Sequence, residues 1–293
     1  MNRIKKKLKR RYFLILLFLI LSFIFISIQI NQKRTFQKKI NLKKSEEIKN
    51  NTIHEKENNF SFVIAGDNHN ESKFYQKIVN YINTNQTKNK IAFFVDLGDS
   101  TRVGDYSEYL INKKIIDQLK VPHYMVLGDH DIVSNGTKIW EEFFGPNYYS
   151  WDYQNVHFVA IDNVTDINGL SEEQLIWLEK DLSKNYSKQQ KIVFMHRPPE
   201  APFSEPMDLG FKGTLSEMRI KKLIDILKKY KVNHIFTGHL HNFAEYSISG
   251  IPITITGGAG GPIYPLPFIG KNKHHFLIVE IKGDDLNYKI IEL

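Results

Sequence analysis

The chain has 293 residues, 42% of them apolar, and no cysteine. This is the apolar content of a folded protein of one large or two ordinary domains, and the missing thiols exclude disulfide scaffolds, thiolate zinc sites, iron–sulfur clusters and cysteine nucleophiles. The net charge of +8 belongs to residues 1–59, which hold 15 of the 40 Lys+Arg and 4 of the 32 Asp+Glu; the remaining 25 basic and 28 acidic residues leave 60–293 at −3, without the basic footprint of a nucleic-acid-binding domain.

Residues 1–11 form a basic tail carrying Arg3, Lys5, Lys6, Lys7, Lys9, Arg10 and Arg11. Behind it, Tyr12 to Ile30 (YFLILLFLILSFIFISIQI) runs 19 residues without a charge. As a helix this reaches about 28 Å, close to the thickness of a bilayer's hydrocarbon core. The reading is an uncleaved transmembrane signal anchor over a cleaved signal peptide or a buried core helix, because the run exceeds a signal h-region and no small-x-small cleavage site follows. The basic residues before it are denser than Lys33, Arg34, Lys38, Lys39, Lys43 and Lys44 behind it, which predicts a cytoplasmic N-terminus and an extracytoplasmic remainder. Residues 31–59, rich in Asn, Lys, Glu and Gln, read as a solvated polar stalk.

From residue 60 to 293 short apolar runs alternate with amphipathic stretches, which predicts an α/β domain. Helices are expected over Glu71–Asn83, Ser107–Leu119, Ser171–Asn185 and Arg219–Tyr230, the third opened by a capping box of Ser171 and Gln174. In the last, Ile220, Leu223, Ile224 and Leu227 share one face and predict core packing. Five apolar runs end in Asp or His: FSFVIAGDNH on Asp67 and His69, IAFFVDLGD on Asp99, HYMVLGDHD on Asp129, His130 and Asp131, KIVFMH on His196, and HIFTGHLH on His239 and His241. Each alone is an ordinary turn or a structural histidine. Together, at strand ends where α/β proteins place their chemistry, they match the imidazole and carboxylate inventory of a transition-metal site, with ligands enough for two ions. The glycine run 257–261 lacks the spacing of a nucleotide fingerprint and reads as a tight turn near the site. Asp96, Asp162, His123, His157 and His234 read as turn or structural residues, and Arg197 as a loop anchor or a substrate contact.

In this order and at these intervals, GDNH, GDS, GDHD, MH and GHLH resemble the calcineurin-like metallophosphoesterases, as do YYSWDYQNVHFVAID and LSEEQLIWLEKDL. The resemblance implies a four-layer α/β/β/α sandwich over 60–293 and two divalent ions (Mn, Fe or Zn) sharing a water nucleophile. It implies that Asp99 bridges the ions, that Asp67, His69 and His241 complete one site, and that Asp129, His196 and His239 complete the other. His130 resembles the family's general acid, and a small phosphoester is the implied substrate, monoester or diester. Two positions depart from the pattern. Asp129 stands where the family has Asn, which adds a negative charge to the site, strengthening metal retention and weakening phosphate attraction. Arg102 stands where many members orient the histidine with Asp or Asn, and purple phosphatases have Tyr; it reads either as a phosphate clamp or as a surface residue, and leaves Asp131 as a candidate partner for His130. The rival readings are a membrane-anchored binding or scaffold protein that keeps the fold without activity, and a metallo-nuclease, which the net charge of −3 disfavours.

Overall fold

The computed structural model describes residues 58–200, 217–264 and 273–293; the basic tail, the expected transmembrane helix and all but the end of the stalk lie outside the described residues. Strand β1 (Asn59–Ala65) shows why the chain makes layers. Its sequence NFSFVIA is nearly all apolar, and every residue after Asn59 is buried, the pattern of a strand covered on both faces. Alternation then sends Phe62 and Ile64 to one side and Val63 and Ala65 to the other.

Two mixed sheets result. In the first, β1 lies between β2 (Ile91–Asp96), parallel to it, and β10 (His275–Lys282), antiparallel to it; β3 (His123–Met125) and β11 (Asp285–Glu292) form the edges. The second runs β4 (Tyr149–Tyr153), β5 (Val156–Ala160), β6 (Gln190–Met195), β7 (His234–Thr237), β9 (Ile251–Thr256) and β8 (Phe243–Ile248). Between the sheets Phe60, Phe62, Phe93, Phe158, Phe194 and Phe236 build an aromatic core, with Phe62 stacked on Phe93 at 5.0 Å. Val63 and Ala65 instead join the core under α1 (Ser72–Asn85), α2 (Tyr106–Ile116) and α3 (Gly136–Phe144), while α4 (Glu172–Lys184) and α5 (Glu217–Lys229) cover the second sheet. The layers are therefore helix, sheet, sheet, helix. Leu223, Ile224 and Leu227 of α5 are buried there, as core packing requires.

Local detail departs from expectation in three places. Helix α2 starts at an Asp105 cap, whose side chain accepts from Glu108 N, and ends three residues before the expected Leu119. Helix α3 is absent from the expected set: it has only nine residues, and its cap Asn135 sits at φ +61° with no side-chain bond. At α4, Ser171 accepts from Gln174 N at 3.1 Å. The Gln174 side chain turns the other way, to the backbone of Asp162 at 2.8 and 2.6 Å, so half of the capping box forms.

Candidate metal centre

The parallel pairs β1·β2·β3 and β5·β6·β7 bring the polar ends of their strands to a common edge in each sheet. There the seven expected ligands assemble into two groups, Asp67, His69, Asp99 and His241 in one, Asp99, Asp129, His196 and His239 in the other, each offering ligand atoms within 4.8 Å of one another. Five of the seven have positive φ: Asp67 +62°, His69 +51°, Asp99 +53°, His239 +71° and His241 +40°. Such conformations are unfavourable for residues with a Cβ and concentrate at functional sites. The glycine run supplies the close approach this needs: a Cβ on Gly261 would lie 2.9 Å from the His69 ring and 3.0 Å from His241.

Hydrogen bonds fix how each ligand points. His130 N donates to Asp99 Oδ1 at 2.8 Å, which turns Oδ2 toward both groups, 3.4 Å from His69 Nε2 and 3.3 Å from His196 Nε2. One oxygen is thus shared between two ligand sets. His239 N donates to both Asp67 oxygens at 3.0 and 2.9 Å. His196 Nδ1 donates to Leu97 O and His241 Nδ1 to Pro262 O, each at 2.8 Å, so both present Nε2, the tautomer control that metal-binding imidazoles receive from a carbonyl. His239 offers Nδ1, 3.1 Å from Asp129 Oδ1.

The electrostatics describe a buried anionic nest. Burial pushes the Asp67 carboxyl well up. Burial acts the same way on Asp99 and Asp129, but the charge and hydrogen bonds of His196, joined at Asp129 by those of His239, override it and hold both below the usual carboxylate range. His196 is raised in return by those carboxylates, against its own burial. Burial lowers His239, and lowers His241 to about 4. The buried carboxylates of Asp67 and Asp99 and the half-buried one of Asp129 face four imidazoles, and with His69 Nε2 buried and lacking a hydrogen-bond partner this donor set fits a pair of borderline divalent cations.

A cleft of about 560 Å³ opens on these groups and is also lined by His130, Arg102, Glu71 and Tyr264. His130 packs edge-on to His69 at 4.5 Å, and its Nδ1 meets Arg102 O at 2.7 Å. The partner of His130 is therefore a backbone carbonyl, not Asp131. Asp131 faces inward, accepting from Thr101 N and Oγ1 at 2.8 and 2.7 Å and from Gly128 N at 3.0 Å, and burial raises its pKa to about 6. Glu108 Oε2 accepts from Arg102 N and Val103 N, both at 2.9 Å; this carboxylate caps the loop and leaves the exposed Arg102 side chain at the cleft.

The remaining polar residues sort differently. Asp96 accepts from Tyr75 Oη at 2.6 Å and from Gly98 N at 2.9 Å, Asp162 caps the turn at Val164 and Thr165, and His157 bridges Asp152 and Asp181 at 2.7 Å each. Arg197 ion-pairs with Asp129 at 3.3 Å. Neither that pair nor the place of Tyr264 and Glu71 in the cleft is signalled by strand-end position or motif spacing.

The family model for calcineurin-like phosphoesterases matches residues 60–243. The chain belongs to this family of phosphoric ester hydrolases. It is 30% identical over 177 residues to a protein of Arcobacter nitrofigilis named "Probable glycerophosphodiester phosphodiesterase", covering 55% of this chain and 60% of that one. Against a "Probable cyclic nucleotide phosphodiesterase" of Vesicomyosocius okutanii it is 25% identical over 208 residues, covering 67% and 84%. Among solved structures, a dimetal phosphatase from Danio rerio shares the fold with TM-score 0.63 at 14% identity, covering 80% of this chain and 96% of that one.

Proposed function

We propose that this phosphoesterase hydrolyses small phosphodiesters, with Asp67, His69, Asp99 and His241 holding one divalent ion, Asp99, Asp129, His196 and His239 a second, and His130 acting as general acid. The observation that carries the reading is the Asp99 carboxylate: one oxygen is locked by a backbone N–H and the other is shared by both ligand groups, at a cleft that also holds an accessible imidazole. Two divalent cations held there would supply Lewis acidity to the phosphoryl oxygens and would lower the pKa of water enough for it to give up a proton near neutral pH.

The protein's own groups do the rest. Arg102 presents a planar fork of donors to the non-bridging phosphate oxygens. Its backbone carbonyl holds the His130 Nδ1–H, leaving Nε2–H to protonate the departing alkoxide. A cleft lined by one guanidinium, that of Arg102, and by the Glu71 carboxylate suits the one negative charge of a diester better than the two of a monoester, and the two relatives described above are named as phosphodiesterases. The uncharged run at 12–30 supports an anchored protein whose catalytic domain meets its substrate outside the cytoplasm.

Hydrolysis of paired chromogenic phosphodiester and phosphomonoester substrates by the full chain, after chelation and with Mn²⁺, Zn²⁺ or Fe²⁺ restored, tests this. Metal-restored turnover of the diester, lost in Asp99→Ala, is expected. A preference for the monoester refutes the substrate class, and no turnover despite two bound ions favours a binding protein.

A further inference from the structure

The second ligand group contains a charge pair that the proposed reaction does not use. Asp129 turns Oδ1 to His196 Nε2 at 2.8 Å and to His239 Nδ1 at 3.1 Å, and Oδ2 to Arg197 Nη2 at 3.3 Å. Its oxygens have separate duties, one facing the ligand group and one held by a guanidinium. Arg197 follows His196 directly, and its main chain is clamped by the Asn163 amide: Asn163 Nδ2 donates to Arg197 O at 2.6 Å, and Arg197 N donates to Asn163 Oδ1 at 3.1 Å. The side chains of Arg197 and Asp129 are only 21% and 23% exposed, so salt screens the pair less than a surface pair and an unpartnered charge there is costly. Arg197 Nε is buried with no hydrogen-bond partner among the described residues, and Arg197 is not among the residues that line the cleft.

We infer that Arg197 is a positioning residue for the metal pair: it restricts Asp129 to one ligating oxygen and cancels the charge of the third carboxylate. The inference rests on the metal-site reading above. Two doubly charged cations against Asp67, Asp99 and Asp129 leave one net positive charge for the phosphate to meet, and Arg197 raises it to two. Without Arg197 the freed Oδ2 becomes a second donor to the ion beside it. The site then grips that ion harder and the anionic substrate less. Arg197 thus trades metal retention for phosphate affinity.

The test compares wild type, Arg197→Gln, Asp129→Asn, the double variant and Arg197→Lys in the full chain. Mn²⁺ affinity is measured by calorimetry, and KM, kcat and inhibition by inorganic phosphate with the chromogenic diester. Arg197→Gln is expected to tighten the weaker Mn²⁺ site on the order of tenfold and to weaken substrate and phosphate binding by a similar factor, with kcat little changed. Removing the carboxylate as well, in the double variant, restores KM, and Arg197→Lys falls between. A merely structural ion pair lowers thermal stability without moving the two affinities in opposite directions. Unchanged affinities, affinities that fall together, or an Arg197 effect of equal size in the Asp129→Asn background each overturn the inference. If Arg197→Gln does not fold, Arg197→Lys against wild type decides by the same opposite shifts. A wild-type protein that binds no Mn²⁺ overturns the metal-site reading and this inference with it, whereas two ions bound with no effect of Arg197 overturns the inference alone.

Discussion

Gly128→Ala should dismantle the centre from a position that contributes no side chain to it. A Cβ at Gly128 would fall 2.1 Å from Asp99 N and 2.2 Å from Asp99 Oδ1, more than 1 Å inside ordinary van der Waals contact. The obstruction is mostly backbone, so a rotamer change cannot absorb it. Asp99 must move, breaking the 2.8 Å bond from His130 N and carrying Oδ2 away from both His69 and His196. Overpacking of this kind costs about 1–3 kcal/mol, or about 2–12 °C in Tm for a domain of this size. A 1 Å misplacement of catalytic geometry costs about a hundredfold in rate. Gly250→Ala is the control: at φ +84° with nothing within 4 Å of the added Cβ, it pays only the left-handed backbone cost of about 1–2 kcal/mol. Thermal melts, metal content and kcat/KM for both variants make the comparison. If Gly128→Ala keeps two ions and wild-type kcat/KM, the placement of Asp99 described here is wrong.

Replacing His130 by Gln should lower kcat by about 10²–10⁴-fold, the range of a lost general acid, while metal content stays at the wild-type level; loss of bound metal would instead make His130 a ligand. Arg102→Gln should raise KM for the diester while the His130 contact survives, since that contact uses the backbone; an unchanged KM removes Arg102 from substrate binding. The His157 bridge makes a prediction about pH. Burial lowers its pKa, but the hydrogen bonds it donates to Asp181 and Asp152 override this and raise it. The stability it contributes is therefore complete below its ordinary pKa of about 6.5 and lost as pH rises through the higher folded value. Asp152, whose pKa is lowered by Lys188 and His157 against its burial, loses its share as pH falls below the usual carboxylate range. The Tm advantage of wild type over His157→Gln should accordingly be larger at pH 5.5 than at pH 8.5, and an equal gap at both would refute the charged bridge.

What the sequence revealed, and what it hid, follows from how far each interaction reaches along the chain. Asp67, Asp99, Asp129, His196 and His239 each lie within a few residues of the apolar run that delivers them, so strand ends and spacing expose the donor set before any geometry is known. The partner of His130 is not of that kind. A carbonyl at Arg102 can be supplied by any residue type, and the side chain at that position misdirects, as does the neighbouring Asp131, whose donors lie in the opposite direction. Arg197 and Asp129 come from different sheets and meet only once the layers stack. Helix α3 went unseen because nine residues hold few turns of periodicity; its cap Asn135 is left-handed and its side chain makes no capping bond. Gln174 carried the right residue for a capping box, but the Asp162 backbone offered it two hydrogen bonds.

The proposed centre requires one carboxylate, that of Asp99, to serve two metal ions. Metal analysis and calorimetric titration of the full chain with Mn²⁺, for wild type, Asp67→Asn and Asp99→Asn, test it most directly. Two ions per wild-type chain, one weakened site in Asp67→Asn and two weakened sites in Asp99→Asn are expected. A single ion in wild type, or an Asp99→Asn variant that loses affinity at one site only, would contradict it.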